Sequence, residues 1–141
     1  MKIYELLHMH GAEVLSDGRF HDGDIARLGY FSSLDQASIS IEKYRGISGF
    51  RDYPNGFAVF EHEMEYAESI YLAECYIHDF EFEFEYSKSL GIFTQERDAY
   101  LAIDTFRQNN LMNWEDDKLT VELSVDQYML DEMHCIYGFD F

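Results

Sequence analysis

Acids and aromatics alternate with a strict period of two through His78-Asp79-Phe80-Glu81-Phe82-Glu83-Phe84-Glu85-Tyr86. A β-strand sends successive side chains to opposite faces. The pattern therefore predicts a strand with Phe80, Phe82, Phe84 and Tyr86 on one face and Asp79, Glu81, Glu83 and Glu85 on the other. Same-face neighbours would sit about 6.8 Å apart, twice the rise per residue. Their mutual repulsion in water is about 0.6 kcal/mol per adjacent pair before salt screening, which a solvated face tolerates. An ordinary strand with one wet side fits this pattern, and so does a surface built for a basic partner.

Elsewhere the pattern alternates between periods of two and of 3.6, in two copies. Leu28-Gly29-Tyr30-Phe31-Ser32 recurs as Leu90-Gly91-Ile92-Phe93-Thr94, 62 positions on. Ala37 then matches Ala99, Ile41 matches Ile103, Tyr44 matches Phe106 and Arg45 matches Arg107. At the same offset Phe57 meets Leu119 and Val59 meets Val121. Six identities in the 18 positions from Leu28 to Arg45 mark a duplication.

Each unit reads as strand, strand, helix, strand. In the first, Lys2–His10 is a strand, Gly11–Asp24 a glycine-rich loop and Ile25–Phe31 a second strand. Ser32 is placed to cap a helix whose buried stripe is Leu34, Ala37, Ile41 and Tyr44. Gly46 and Gly49 end it. Pro54-Asn55-Gly56 makes a turn into a strand over Phe57–Met64. In the second, Ile70 to Glu85 predicts one long strand or a strand pair, and Tyr86–Ser89 a tight turn into Leu90–Phe93. Thr94 is placed to cap a helix carrying Ala99, Ile103 and Phe106, which ends at Asn109 and Asn110. Lys118–Val125 is the next strand, and Met129–Phe141 takes no assignment. The expected fold class is α+β, with residues 1–66 and 67–141 as two tandem units. Each is marginal alone, so they are expected to form one compact domain as a pseudo-dimer. Mixed or antiparallel sheets are expected, packed edge to edge or through the helices.

Composition then narrows the functional classes. The 141 residues include 47% apolar and 17% aromatic side chains, so the chain can build a core despite a formal net charge of −18. Such a charge repels nucleic acid and favours a basic protein partner by steering encounter. Residues 1–66 hold 11 acids and 6 bases, a net of −5, whereas residues 67–141 hold 17 acids and 4 bases, a net of −13. The second unit is therefore the place to look for a partner surface. With no apolar run of transmembrane length and no secretory pattern at Met1–Glu5, the expectation is a cytoplasmic protein without membrane contact. Cys75 and Cys135, far apart in sequence, read as free thiols.

Both units resemble a family of small, functionally uncharacterised bacterial domains. The residues that carry the resemblance are Lys2-Ile3-Tyr4-Glu5-Leu6-Leu7-His8, Leu28-Gly29-Tyr30-Phe31-Ser32-Ser33 with Ala37, and Gly49-Phe50-Arg51-Asp52-Tyr53-Pro54-Asn55-Gly56-Phe57. The second unit repeats Leu90-Gly91-Ile92-Phe93 and Ala99, but Leu111-Met112-Asn113-Trp114-Glu115-Asp116-Asp117 replaces the Gly-Phe-Arg-Asp-Tyr-Pro turn. Tyr128–Glu132 through Gly138-Phe139 looks like the family's last stretch. Relatives of this type are similar to the immunity proteins encoded beside bacterial polymorphic toxins. The resemblance implies that context and no functional residues.

Candidate chemistry is sparse. His8 and His10 would share a strand face and, with His21, Asp22 and Asp24, offer a metal site; the spacing matches no diagnostic zinc pattern, and a polar strand end explains it as well. Asp17–Asp24 does not fit the EF-hand positions. Neither a nucleophile elbow, a phosphate-binding glycine loop nor a His-Glu-x-x-His motif is present, so neither catalysis nor a cofactor is expected. The expected partner surface is the row Asp79, Glu81, Glu83 and Glu85, joined at its rim by Trp114, Glu115, Asp116 and Asp117, an aromatic anchor beside three acids. Its expected occupant is a basic toxin domain, a nuclease by the logic of charge. The competing expectation is a homo-oligomer, such as a homodimer, working through the Phe80-Phe82-Phe84-Tyr86 face.

Overall fold

The computed structural model describes residues 1–9, 25–80, 84–109 and 119–138, with the side chains of 84–86 and 119 left undescribed. The first unit contains β1 (Lys2–Met9), β2 (Ile25–Phe31), α1 (Leu34–Tyr44), a short 3-10 turn (Phe50–Asp52) and β3 (Phe57–Glu63). The second contains β4 (Ser69–Asp79), β5 (Phe84–Phe93), α2 (Glu96–Asn109) and β6 (Leu119–Met129). Each unit forms a three-stranded antiparallel sheet with its first strand in the centre, in the orders β2-β1-β3 and β5-β4-β6. The class is α+β, with two similar units.

The Leu-Gly-x-Phe repeat has a shared physical basis. In β2, Leu28 is the extra residue between the pairs Leu6–Gly29 and Leu7–Arg27; in β5, Leu90 is the extra residue between Ala73–Gly91 and Glu74–Ser89. A bulge bends the strand and calls for unusual backbone angles. Gly29 and Gly91 supply them, at φ +147° and +133°. The phenylalanine two residues on then fills the space a side chain would take: Phe31 lies 3.4 Å from the would-be Cβ of Gly29, and Phe93 lies 3.0 Å from that of Gly91.

The duplication extends further than the 62-residue offset suggests, and the offset changes along it. Tyr4 pairs with Phe31 as Tyr71 pairs with Phe93. The central strands are thus related by 67 residues, and Ile3-Tyr4 returns as Ile70-Tyr71. Val59 pairs with Leu6 as Val125 pairs with Ala73, an offset of 66. The twins of Phe57 and Val59 are therefore Leu123 and Val125, not Leu119 and Val121. Connections of unequal length between strands shift the register without disturbing the fold.

The units meet sheet face to sheet face, which corrects the expected edge or helix packing. On β1 and β2 the residues Ile3, Glu5, Arg27 and Tyr30 share one face, and Tyr4, Leu6, Ala26 and Phe31 the other. The second set packs with Leu28, Ala37, Tyr44 and Phe50 under α1. On the far side, Ala73 packs with Ala99 and Ile103 under α2. Between the sheets, Ile3, Tyr30 and Ile70 form a third buried cluster with Met64, Ile92, Tyr128 and Leu130 around it. The order of layers is helix, sheet, sheet, helix. Duplicated sheets whose inner faces carry Ile3 and Ile70 bury most apolar surface in this way.

Several local features fall a few residues from their expected places. Ser33, not Ser32, caps α1, its hydroxyl accepting from the Gln36 N–H at 3.1 Å. Ser32 serves another purpose: its N–H and hydroxyl both donate to the Asp131 carboxylate, at 2.9 and 2.7 Å. The expected turn at Tyr86–Ser89 lies inside β5, and β6 runs four residues past the expected end at Val125. Beyond β6 the chain crosses back to the first unit. The Asp131 N–H donates to the Tyr30 carbonyl and the His134 N–H to that of Leu28, both at 2.9 Å. This segment covers the outer edge of β2, a place where unpaired backbone groups invite unwanted strand pairing. Asp131→Ala should lower stability by about 1–2 kcal/mol, because two charge-assisted bonds are lost together. Denaturant unfolding would show it; a loss below a few tenths would mean the segment holds without this clasp.

Candidate functional site

The acidic stretch does not form one straight row. β4 ends at Asp79 and β5 begins at Phe84, with Asp79 paired to Phe84 and His78 to Glu85. The chain therefore reverses direction inside the alternating pattern. Asp79 and Glu85 sit on neighbouring strands, one rung apart, rather than in register along one strand. Asp79 is half-buried, and Phe80 is 53% exposed with its ring stacked on His78 at 4.2 Å. Glu85 is placed by backbone alone, and Glu81 and Glu83 lie outside the described residues, as do Trp114, Glu115, Asp116 and Asp117. Of the expected aromatic face, Phe82 also lies outside them. The structure thus brings Asp79 and Glu85 to the same hairpin end of the second sheet, but on adjacent rungs that belong to opposite faces, which corrects the expected shared face for these two. Of the candidate metal ligands only His8 is described, and among the described residues no group of three or more His, Cys, Asp or Glu could hold an ion. His8 is fully buried, its Nε2 3.0 Å from the Tyr53 carbonyl and its ring edge-on to Phe50 and Phe57; His10, His21, Asp22 and Asp24 lie outside the described residues.

A polar cluster that sequence reasoning missed lies between the sheets. Arg27 donates from Nε to Glu5 at 3.2 Å and from an η nitrogen to Glu74 at 2.8 Å, joining β2 to β1 and to β4 of the other unit. All three side chains are at most one-fifth exposed. The Tyr30 hydroxyl donates to the same Glu5 oxygen at 2.9 Å, and His62 Nε2 lies 3.2 Å from its other oxygen. Burial opposes the guanidinium's charge, but its surroundings, with Glu74 and Glu5 contributing, outweigh that and hold its pKa above the ordinary arginine value. The cluster forms one wall of a cleft of about 280 Å³ that also meets Phe60, Ser87 and Ser89. The signal was available: Glu5 lies between apolar residues of β1 and Arg27 is the one charged residue of β2, and buried charges need partners.

Three tyrosines of the core are held neutral. Burial first, then Glu5, pushes the Tyr30 phenol well above its usual range. Burial likewise raises Tyr44 and Tyr128. A raised tyrosine pKa favours the protonated form in the fold, so this stability is complete below the unfolded value of about 10 and is lost as pH rises past it. The melting temperature should therefore fall above pH of about 10, with these phenols ionising only on unfolding. Phenolate absorbance that accounts for all 11 tyrosines in a still-folded protein would contradict this.

A second, more open cleft of about 450 Å³ lies where the end of β3 meets the end of β5 and the start of α2. It is rimmed by Glu63, Glu65 and Asp98. Among the described residues no helix is long and apolar enough to cross a membrane. Compared with known proteins, the chain matches no protein-family model, no curated protein and no solved structure.

Proposed function

We propose that this chain is an acidic immunity protein of the cytoplasm, which binds a basic toxin domain of the nuclease class and blocks its substrate surface. The observation that carries the proposal is the net charge of −18 on a folded, duplicated scaffold. Almost all of that charge lies outside the buried cluster: Arg27 with Glu5 and Glu74 accounts for one base and two acids, leaving a net of −17 on the remaining residues. Nuclease substrate surfaces are basic because they hold phosphates, and opposite fields speed association. Asp79 and Glu85 at the β4–β5 hairpin are the proposed contact, together with Glu81, Glu83, Trp114, Glu115, Asp116 and Asp117, which lie outside the described residues.

Reversing Asp79, Glu81, Glu83 and Glu85 to lysine tests the contact. The expected result is association with the toxin slowed by roughly tenfold or more, with a weaker salt dependence. Unchanged neutralisation by the folded variant would remove the hairpin from the interface.

A homo-oligomer is the second reading, favoured by Val59 and Phe60, 36% and 44% exposed on the edge strand β3. Strict monomers by light scattering at high concentration would count against it.

A further inference from the structure

The duplication gives each unit an equivalent edge, and among the described residues only one is covered by the chain itself. In the first unit, the segment after β6 lies along β2. Asp131 and His134 donate to the carbonyls of Tyr30 and Leu28, and Met133 packs against the core beneath α1. The segment after β3 begins the same course in the second unit. The Met64 N–H bonds to the Met1 carbonyl at 2.8 Å, as the N–H of its twin Leu130 bonds to the Glu68 carbonyl at 3.1 Å. The chain must then enter β4 at Ser69, too soon to run along β5. Among the described residues no backbone N–H from such a segment bonds to the carbonyls of Leu90 or Ile92, the twins of Leu28 and Tyr30. The 450 Å³ cleft opens here, lined by Met64, Glu65, Ile92, Phe93, Thr94 and Asp98.

We propose that this cleft and the adjoining β5 edge receive an extended segment of the basic protein partner, carrying an apolar residue between lysines or arginines. The proposal rests on the immunity reading and names a docking mode for it. The chain's own segment 130–134 shows what the equivalent edge accepts: backbone donors to two strand carbonyls and one apolar side chain, Met133, against the cluster that includes Phe31, the twin of Phe93. The rim sets the occupant's charge. Glu63 is engaged by the N-terminal ammonium at 3.3 Å, and Arg97 approaches Asp98 only at 4.0 Å. Glu65 is exposed and makes no ion pair among the described residues. A second copy of this chain would bring another −18 to that rim, whereas a cationic segment gains from it. Strand addition to an open edge supplies affinity through the backbone and selectivity through the side chain placed in the cleft. β5 also runs directly from the acidic hairpin, so one partner surface can reach both.

The probe is the C-terminal domain of the protein encoded immediately upstream, bound to isotope-labelled full chain. On complex formation the carbonyl resonances of Leu90 and Ile92 should move in the direction of a new hydrogen bond. The E65K/D98K double variant, checked for folding by circular dichroism, should associate roughly tenfold more slowly. A stable complex with unmoved carbonyl resonances and an unaffected double variant overturns the cleft proposal and leaves the immunity reading standing. Absence of any complex overturns both.

Discussion

Replacing Arg27 by alanine should destabilise the protein by about 3–5 kcal/mol, because it strands two carboxylates between the sheets. Glu5 and Glu74 come from different units and are 13% and 19% exposed. Without the guanidinium they face each other with little water to screen them. The loss should be visible in denaturant unfolding with an unchanged slope, since the same surface is exposed on unfolding. The triple variant R27M/E5Q/E74Q separates the explanations. It removes the stranded charges, and the side-chain amide introduced by E5Q can still accept from the Tyr30 hydroxyl, so it should recover most of the loss. A single variant within 1 kcal/mol of the wild type would show that the pair contributes no more than an exposed ion pair does.

The second large effect is expected at the bulge glycines, and the two copies should differ. Gly29 has φ +147°, and a methyl there would lie 2.6 Å from the Glu132 carbonyl oxygen in the segment covering β2. Gly91 has φ +133°, but among the described residues the atoms nearest its would-be methyl belong to the Phe93 ring, from 3.0 Å. Backbone strain at such angles costs about 1–3 kcal/mol. Gly91→Ala should fall in that range, with the ring shifting to give room. Gly29→Ala adds a collision with backbone, so it should cost about 3 kcal/mol or more and loosen the C-terminal segment. Amide exchange of Asp131 and His134 would report that loosening. Equal costs at both sites would mean that the segment yields freely.

The duplication was legible in the sequence because the repeat sits where geometry is strict. A bulge needs Gly29 and Gly91, and each glycine needs a phenylalanine two residues on to cover it. The helix stripes were legible in part: Ala37, Ile41 and Tyr44 pack under α1 and Ala99 and Ile103 under α2, whereas Leu34, expected in the first stripe, is 54% exposed. The strand twins were harder. Ile3-Tyr4 and Ile70-Tyr71 match only at an offset of 67, and unequal connections hide that from a search at fixed spacing. Period-two alternation could not reveal the hairpin, because it continues unbroken across the reversal between Asp79 and Phe84. The packing of the units was not legible either. It brings Ile3 and Tyr30 against Ile70, and Arg27 to Glu74 47 positions away, contacts that no local pattern announces. Of the candidate partner surface, the structure places Asp79 and the backbone of Glu85, and it adds the cleft beside Ile92 and Glu65 that the sequence did not suggest.

The most direct test of the proposed role is growth. The C-terminal domain encoded upstream would be expressed in bacteria with and without this chain, followed by co-purification. The account predicts arrested growth with the domain alone, rescue with both, and a stable complex that forms more slowly as salt rises. A harmless upstream domain, or arrest that this chain neither binds nor relieves, would contradict it.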